Sequence, residues 1–419
     1  MKPILTKKNG MITNLNRAQL ISYFLGLILI SFLFTSCTSS SFLSKVNPTT
    51  FYYDGHIYLK AKVNSTDCIL DMDTGAEALF LDSTFFYTKI DSTALVDFTL
   101  EGVGTQKRKI KVYADLLIYS LANKAKAQQY TPILNLQHTA RHPSDGIFGF
   151  HFMENKVIGI DFVNQLLYIT ESTQSLPLND FQKIPFELKD KKIIIDAAVQ
   201  FTDNFTYNGK FVVDTGSDNT LNFTSDFAKT VKLDTIIKNK VHRNSIAMGI
   251  GNYSSNFSFN LPKLSIADSP IHNVFVDYSV DESGALSSSN NYDGIIGNSI
   301  LERFDILIDY TTNHLYLKPN KRFITKESNE QLLFSLLPTE SPVNGWLVHS
   351  KVSSPHFDKN ELQLGDVITH VNGQNVNELK ITNFIKQQKK KTNKTKLILN
   401  RNGKIVHLTI ESIILKMER

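Results

Sequence analysis

The sequence contains few cysteines and no strong excess of charge. Cys37 and Cys68 are the only cysteines among 419 residues, so at most one internal disulfide is available. The formal net charge is +5, but four of the 45 Lys and Arg side chains precede residue 37, where no acid occurs; the remaining 41 face 40 acidic side chains. A near-neutral body gives no electrostatic reason to expect nucleic acid as a partner.

The chain also lacks the short motifs of several enzyme classes. It contains no His-Glu-x-x-His, no Gly-x-Ser-x-Gly and no P-loop. His138 and His142 lie close together without further ligands, so neither a metal site nor a cofactor is expected. With 42% hydrophobic and 20% charged residues, the composition is that of an ordinary folded protein of two or three domains.

The early positive charge belongs to an export signal. A basic, polar leader precedes the mostly apolar run LISYFLGLILISFLF, Leu20 to Phe34. At about fifteen residues, this run is short for a membrane span and suits the h-region of a signal peptide. The ending Phe34-Thr35-Ser36-Cys37 resembles a bacterial lipobox, in which the cysteine is lipidated and becomes the first mature residue. An uncleaved membrane anchor is the alternative.

The lipobox resemblance implies an organisation and a location. It implies a signal peptide over residues 1–37, lipidation of Cys37 and a tether over residues 38–49. The protein would then lie in the bacterial cell envelope, facing the periplasm, with the membrane as a partner through its lipid. Only Cys68 remains in the mature body, so no internal disulfide is predicted, and Cys68 is expected to be a small buried residue.

The body of the chain contains one pattern twice. The stretch ILDMDTGAEALFLD, from Ile69, is repeated 141 residues later by GKFVVDTGSDNTLNF, from Gly209. Further landmarks recur in the same order, 147 or 148 residues apart: Gly102-Val103-Gly104 with Gly249-Ile250-Gly251, Asp145–Gly149 with Asp293–Gly297, and GIDFVNQLLYIT with LIDYTTNHLYLK. Short β-branched and aromatic runs separated by turn residues therefore predict a duplicated all-β lobe, over residues 50–173 and 181–321.

The doubled pattern resembles the aspartic protease superfamily, the pepsin-like and retropepsin-like enzymes. In that family each lobe carries an Asp-Thr-Gly loop and a later apolar-apolar-Gly strand, which cross in a ψ-shaped motif. Ile147-Phe148-Gly149 and Ile295-Ile296-Gly297 match the later strand. The resemblance covers roughly residues 50 to 320. It implies two duplicated β-barrel lobes that form a bilobal acid protease, with Asp73 and Asp214 as the catalytic pair.

The chemistry of peptide hydrolysis explains why two aspartates are needed. Without a metal or a nucleophilic side chain, one group must activate water and another must donate a proton. Two carboxyl groups held about 3 Å apart cannot both ionise, so they share one proton and supply both functions. Each copy of the motif contributes one member of this pair.

The resemblance assigns supporting roles to neighbouring residues. Thr74 and Thr215 match threonines that hydrogen-bond across the lobe interface, whereas Gly75 and Gly216 allow tight turns beside the carboxylates. Substrate-binding roles fall on residues four positions after each aspartate and on two glycine pairs that match the tips of closing flaps: Glu77, Asp218, Gly102, Gly104, Gly249 and Gly251. For each glycine pair, an ordinary hairpin turn is the alternative.

Asp71 departs from the family pattern. The second lobe has Val212 at the equivalent position, and the family normally has an apolar residue there. Strand alternation puts Asp71 on the same side as Asp73, facing the cleft. Three interpretations remain open: Asp71 lines a pocket that favours Lys or Arg beside the scissile bond, the strand bends so that Asp71 meets water, or Asp71 disturbs the titration of the pair and reduces activity.

The C-terminal residues 323–419 resemble a bacterial PDZ domain. The resemblance rests on NGWLVHSKVSSPH, from Asn344, and on LQLGDVITHVNGQNV, from Leu362. Gly365-Asp366 is expected to lead into a strand, and Asn372-Gly373 and Asn402-Gly403 are expected to form hairpin turns. PDZ domains bind peptide C-termini by strand addition, but no clear Gly-containing carboxylate loop precedes Trp346. Docking of this domain against the lobes is therefore the alternative.

The sequence thus predicts an aspartic endopeptidase of the cell envelope. It would cleave an extended peptide or protein, with the PDZ domain presenting substrate or controlling access. A non-catalytic peptide-binding lipoprotein that keeps the fold is the alternative, and a self-processing enzyme is a third option.

Overall fold

Strands dominate the structure, a computed structural model, which confirms the all-β class. The described residues belong to one compact unit, Val46–Arg419. Among them, no helix is both long and apolar enough to cross a membrane. The structure describes residues 46–90, 94–100, 108–136, 144–174, 176–246, 253–287, 291–324, 330–339, 343–353, 362–388, 394–410 and 414–416.

The first lobe is built from strands between Thr49 and Thr170. Its long hairpin turns at Asn64-Ser65, where both residues have positive φ, as two-residue hairpin turns require. Its elements are β1 (Thr49–Thr50), β2 (Tyr52–Tyr53), β3 (Ile57–Val63), β4 (Thr66–Met72), β5 (Phe80–Asp82), α1 (Ser83–Lys89), β6 (Leu95–Leu100), β7 (Arg108–Tyr113), β8 (Leu117–Leu121), β9 (Lys124–Gln128), β10 (Thr131–Leu134), β11 (Gly146–Phe148), α2 (Phe150–Met153), β12 (Val157–Asp161) and β13 (Leu166–Thr170).

The second lobe follows after Thr170 and extends to Pro319. Its longest strands carry alternating buried and exposed residues, as expected for a sheet with one face on the core. Its elements are β14 (Gln182–Pro185), β15 (Glu187–Lys189), β16 (Lys192–Thr202), β17 (Phe205–Val213), β18 (Leu221–Phe223), α3 (Ser225–Val231), α4 (Leu233–Ile236), β19 (Lys240–Ser245), β20 (Ser254–Ile266), β21 (Ser269–Ser279), β22 (Gly294–Ile296), α5 (Asn298–Leu301), β23 (Phe304–Asp309) and β24 (His314–Pro319).

The two lobes have the same strand order. The first sheet contains the path β6-β7-β10-β5-β11-β4-β3, and the second contains β19-β20-β21-β18-β22-β17-β16. In both, the short strand formed by the repeated Gly-apolar-apolar segment lies between a parallel and an antiparallel neighbour. The repeat in the sequence is therefore a repeat in topology.

A central sheet joins the two lobes. The repeated hairpins β12–β13 and β23–β24 lie side by side in it, because β12 pairs with β23 in antiparallel register. Gly159, which begins the first copy of the segment, pairs with Leu307, which begins the second. Equivalent residues meet where the two copies are related by an approximate two-fold axis, so the lobes face one another.

A shared apolar core stabilises both lobes. One apolar core extends through both lobes and the central sheet. Cys68 is buried in it, as predicted, and burial raises the pKa of its thiol to about 12. In the second lobe, the rings of Phe201, Phe223, Phe227 and Phe259 stack against each other.

The C-terminal residues form a separate apolar core around Trp346 and Phe384. Hairpin turns at Asn372-Gly373 and Asn402-Gly403 have positive φ at both positions, and β28 begins directly after Asp366, as predicted. The elements are β25 (Glu330–Leu332), β26 (Phe334–Thr339), β27 (Gly345–Val352), β28 (Val367–Val371), β29 (Gln374–Asn375), a 3₁₀ turn (Val376–Glu378), α6 (Ile381–Gln388), β30 (Thr395–Arg401), β31 (Lys404–Ile410) and β32 (Ile414–Lys416).

One strand pairing joins the C-terminal sheet to the second lobe. Strand β19 pairs with β27 in antiparallel register, from Arg243 with Val352 to Ser245 with Ser350. Side chains reinforce the contact, since Arg243 donates a hydrogen bond to the hydroxyl of Ser350 at 3.1 Å. The outer strand of the second lobe therefore has neighbours on both edges.

Candidate active site

The two Asp-Thr-Gly loops follow β4 and β17 and are fixed by the crossing strands. The N–H of Asp73 donates to the carbonyl of Phe148 at 3.0 Å, and that of Asp214 donates to the carbonyl of Ile296 at the same distance. Close approach makes glycine necessary just after each crossing strand: a Cβ on Gly149 would lie 2.0 Å from the carbonyl oxygen of Ala76.

The carboxyl groups of Asp73 and Asp214 meet between the lobes. They lie within hydrogen-bonding reach of each other. Each also lies against the glycine of the opposite loop: a Cβ on Gly216 would lie 2.2 Å from Cγ of Asp73, and one on Gly75 would lie 2.9 Å from Cγ of Asp214. Two residues 141 positions apart thus form one site.

Backbone donors orient both carboxyl groups. Oδ1 of Asp73 accepts from the N–H of Gly75 at 2.7 Å and from that of Ala76 at 3.0 Å. Oδ1 of Asp214 accepts from the N–H of Gly216 at 2.8 Å. Such bonds favour the ionised form, because the N–H dipoles point at the negative charge.

Burial nevertheless raises the pKa of both aspartates. For Asp73 the pKa is well above its ordinary value, because burial disfavours the charged form and the charges of Asp214 and Asp71 add to the effect. Burial also raises the pKa of Asp214, while the hydrogen bond from Asp73 opposes that rise. The two carboxyl groups titrate as a pair, which keeps its shared proton to a higher pH than an ordinary carboxyl would.

The two threonines hold the loops together across the interface. The N–H of Thr74 donates to Oγ1 of Thr215 at 3.0 Å, and the N–H of Thr215 donates to Oγ1 of Thr74 at 2.9 Å. Each hydroxyl then donates to a carbonyl of the opposite lobe, Thr74 to Val213 at 2.7 Å and Thr215 to Met72 at 2.9 Å. Both threonines are fully buried, so these bonds are shielded from water.

Glu77 and Asp218, the residues predicted to hold the substrate backbone, have different surroundings. Glu77 is exposed and lies 3.1 Å from the ammonium group of Lys191. Asp218 is half-buried and packs on the other lobe, since a Cβ on Gly55 would lie 3.0 Å from its Cβ. The positions are equivalent in sequence but not in environment.

Asp71 is buried rather than solvated. Only 4% of its surface is exposed, and Nδ1 of His56 donates a hydrogen bond to its Oδ2 at 2.8 Å. The interpretation in which Asp71 meets water therefore has no support in the structure.

Sequence reasoning missed His56 and Asn298. The amide of Asn298 donates to the carbonyls of Gly55 at 2.7 Å and Thr215 at 2.6 Å, so it ties the chain beside His56 to the second Asp-Thr-Gly loop. Both could have been found: the β3–β4 hairpin pairs Tyr58 with Asp71, which puts His56 near it, and Asn298 directly follows the repeated Gly297.

The predicted flap glycines and the lipidation site lie outside the described residues. These are Gly102, Gly104, Gly249, Gly251 and Cys37. The strands on either side of the glycine pairs are described, and each pair of strands is antiparallel: β6 with β7, and β19 with β20. The glycine pairs thus lie between hairpin strands in both lobes.

Within the described part of the chain, no group of three or more His, Cys, Asp or Glu side chains could hold a metal ion. Comparison with known families found no family model that matches the chain. No curated protein shows significant sequence similarity to it. Function must therefore be argued from the site itself.

Proposed function

We propose that this protein is an aspartic endopeptidase, with retropepsin- or pepsin-like lobes and Asp73 and Asp214 as its catalytic pair. The observation that carries the proposal is the approach of two half-buried carboxyl groups, one from each lobe, to within hydrogen-bonding reach. The threonine bonds support it, because they hold both loops rigid.

The pair supplies both halves of the hydrolysis. The ionised carboxylate removes a proton from water as it attacks the peptide carbonyl carbon, and the protonated carboxyl donates its proton to the carbonyl oxygen. The tetrahedral intermediate then collapses, its nitrogen is protonated, and the C–N bond breaks. Because the pair returns to one shared proton, it is ready for another cycle.

The substrate is an extended peptide that crosses the cleft between the lobes. Asp218 and Glu77 are proposed to hold its backbone, and the hairpins that carry Gly102/Gly104 and Gly249/Gly251 are proposed to close over it. A charged side chain at Asp218 supports this role in the second lobe, where the residue lies beside the catalytic loops.

The location and the third domain are part of the proposal. We infer that Cys37 carries a lipid and holds the enzyme in the bacterial cell envelope, with the body facing the periplasm. The residues after 323 are proposed to be a PDZ domain that presents substrate or controls access. Its separate core, its Asn-Gly hairpin turns and the bidentate contact of Arg401 with buried Asp366 support an independent domain.

The alternative is a non-catalytic peptide-binding lipoprotein with the same lobes. The third buried carboxylate, Asp71, favours this alternative, because another negative charge near the pair raises the pKa of Asp73 further. A self-processing enzyme remains a third option, which cleavage of its own chain would reveal.

Cleavage of a denatured protein from acidic to neutral pH tests the proposal. Wild type is compared with Asp214→Asn, and Asp196→Asn is the matched control, since the side chain of Asp196 is 85% exposed. We expect wild type and Asp196→Asn to cleave alike and Asp214→Asn to lose about 10³-fold or more in kcat/KM. Equal cleavage by wild type and Asp214→Asn would reject the pair. Inactivity of all three would favour the peptide-binding alternative.

A further inference from the structure

The site contains a fourth titratable side chain for which the proposed mechanism has no use. His56 precedes β3, is 4% exposed and donates to Asp71 from Nδ1 at 2.8 Å. Its other nitrogen, Nε2, is buried without a hydrogen-bond partner among the described residues, and Oδ1 of Asp71 is in the same state. The contact between Nδ1 and Oδ2 therefore joins the two side chains.

The surroundings of His56 are strongly acidic. The ring of Tyr58 lies 6.1 Å from the imidazole. Four carboxyl groups from both lobes interact electrostatically with it: Asp71, Asp73, Asp214 and Asp218. Burial by itself would favour the neutral imidazole, but these negative charges outweigh it, and the pKa of His56 is raised to about 9. Burial likewise raises the pKa of Asp71, and the charge and hydrogen bond of His56 oppose that rise.

The second lobe has a cation at the equivalent position. Strand pairing aligns Tyr58 and Asp71 of the first lobe with Ile194 and Val212 of the second, so the residue that corresponds to His56 is Lys192. Lys192 lowers the pKa of Asp214 by its charge. Only the first lobe combines its cation with a buried carboxylate, because the second lobe has Val212 at the position of Asp71.

We propose that His56 and Asp71 form a buried ion pair beside the catalytic aspartates, in which the imidazolium cancels the charge of the third carboxylate. This inference rests on the proposed function. His56 is a positioning residue in this role, since it acts on the reaction through the charge of Asp71. Asp71 then neither inactivates the enzyme nor selects basic substrates, because its charge is already balanced.

Removal of the imidazole should leave an uncompensated carboxylate near the catalytic pair. A negative charge makes it harder for the pair to lose protons, so both limbs of the pH profile of kcat/KM should move to higher pH in His56→Gln, by about one pH unit. The double variant His56→Gln/Asp71→Asn removes both charges and should return the profile to that of wild type. His272→Gln, which replaces an exposed histidine on β21, is the control and should not move the profile.

A merely structural role gives a different result. If His56 only packs, His56→Gln and the double variant should lose activity together without a shift in either limb, and the proposal would be overturned. A shift to higher pH in the single variant that the double variant reverses would support it.

A second readout does not depend on cleavage. NMR titration of ¹³C-labelled histidine in the full chain, with the His56 signal assigned by His56→Gln, reports the imidazole directly. We expect a pKa of about 9 in wild type and a fall of at least about one unit in Asp71→Asn. A His56 pKa close to 6.5 in both proteins would refute the ion pair. If wild type cleaves nothing and the titration still shows the coupling, the proposed function fails while the ion pair stands.

Discussion

The two lobes share a strand order but not the residues around their Asp-Thr-Gly loops. The first lobe has Asp71, with His56 as its partner, whereas the second has Val212. The second lobe has Asn298, which bridges to the first, whereas Phe150 occupies the equivalent position in the first. The two copies therefore share their strand arrangement, and they differ in the residues that line the shared site.

The outer hairpins differ as well. Strand β6 lies at the end of its sheet and pairs with β7, whereas its counterpart β19 also pairs with β27 of the C-terminal residues. Only one of the two hairpins is thus tied to the third domain within the described residues. The strand order that supports the proposed catalytic pair is symmetric, whereas the pairing with the third domain is not.

Among the differences between the lobes, the largest expected effect on activity comes from the glycine that faces Asp73. A Cβ on Gly216 would lie 2.2 Å from Cγ of Asp73, whereas one on Gly75 would lie 2.9 Å from Cγ of Asp214. Gly216→Ala should therefore lower kcat/KM by about 100-fold or more and cost about 1–3 kcal/mol in the free energy of unfolding. Gly75→Ala should cause a smaller loss of kcat/KM and a smaller loss of the free energy of unfolding. Peptide-cleavage kinetics and urea unfolding measure the two variants, and a more severe Gly75→Ala would contradict the geometry.

The threonine contact should be symmetric. Thr74→Val or Thr215→Val removes one hydroxyl and leaves the N–H of the opposite threonine and a carbonyl buried without partners. Each variant should lose about 2–4 kcal/mol in the free energy of unfolding. Thr→Ser at either position keeps the hydroxyl and is the matched control. A loss in one lobe only, measured by chemical denaturation, would show that the contact is not reciprocal.

The raised pKa values should make the catalytic aspartates destabilising at neutral pH. Both carboxyl groups have a higher pKa in the folded than in the unfolded state. Each therefore lowers the free energy of unfolding of the protein as the pH rises from the unfolded-state pKa through the folded-state pKa. The free energy of unfolding of Asp73→Asn should therefore be about 1–3 kcal/mol higher than that of wild type at pH 7, and nearly the same at pH 3. Asp214→Asn should change the free energy of unfolding in the same direction, because burial raises its pKa as well. Melting curves at both pH values would contradict this account if the gain were independent of pH.

The smallest expected effect concerns the hairpins. Amides of β19, which has neighbours on both edges, should exchange about tenfold more slowly than those of β6. Hydrogen-exchange mass spectrometry on the full chain compares peptides from the two strands. Equal exchange would mean that the pairing of Arg243–Ser245 with Ser350–Val352 does not persist in solution.

Much of the fold was predictable, because repetition and turn chemistry are local signals. The doubled Asp-Thr-Gly pattern predicted the two lobes, and Asn372-Gly373 predicted its hairpin turn. The repeated Asp145 and Asp293 directly precede the short repeated strands. Each carboxylate accepts from a backbone N–H of the strand before the Asp-Thr-Gly loop, that of Ile69 or of Lys210.

Two polar contacts beside the site were missed, although the threonine contact between the lobes was predicted. The partner of Asp71 lies fifteen residues away across a hairpin, and that of Asn298 lies 243 residues away in the other lobe. A hydrophobic pattern fixes which face of a strand is buried, but it does not specify which polar side chains meet in the buried layer. The pairing of β19 with β27 could likewise not be predicted from the sequence, because any outer strand can accept a neighbour.

A crystal structure at a resolution that distinguishes the C–O bond lengths of carboxyl groups would test the central claim most directly. The account predicts oxygens of Asp73 and Asp214 about 3 Å apart, with unequal C–O bonds in one carboxyl and equal bonds in the other, as a single shared proton requires. Oxygens separated by more than the width of a water molecule, or two carboxyl groups that are both fully ionised, would contradict it.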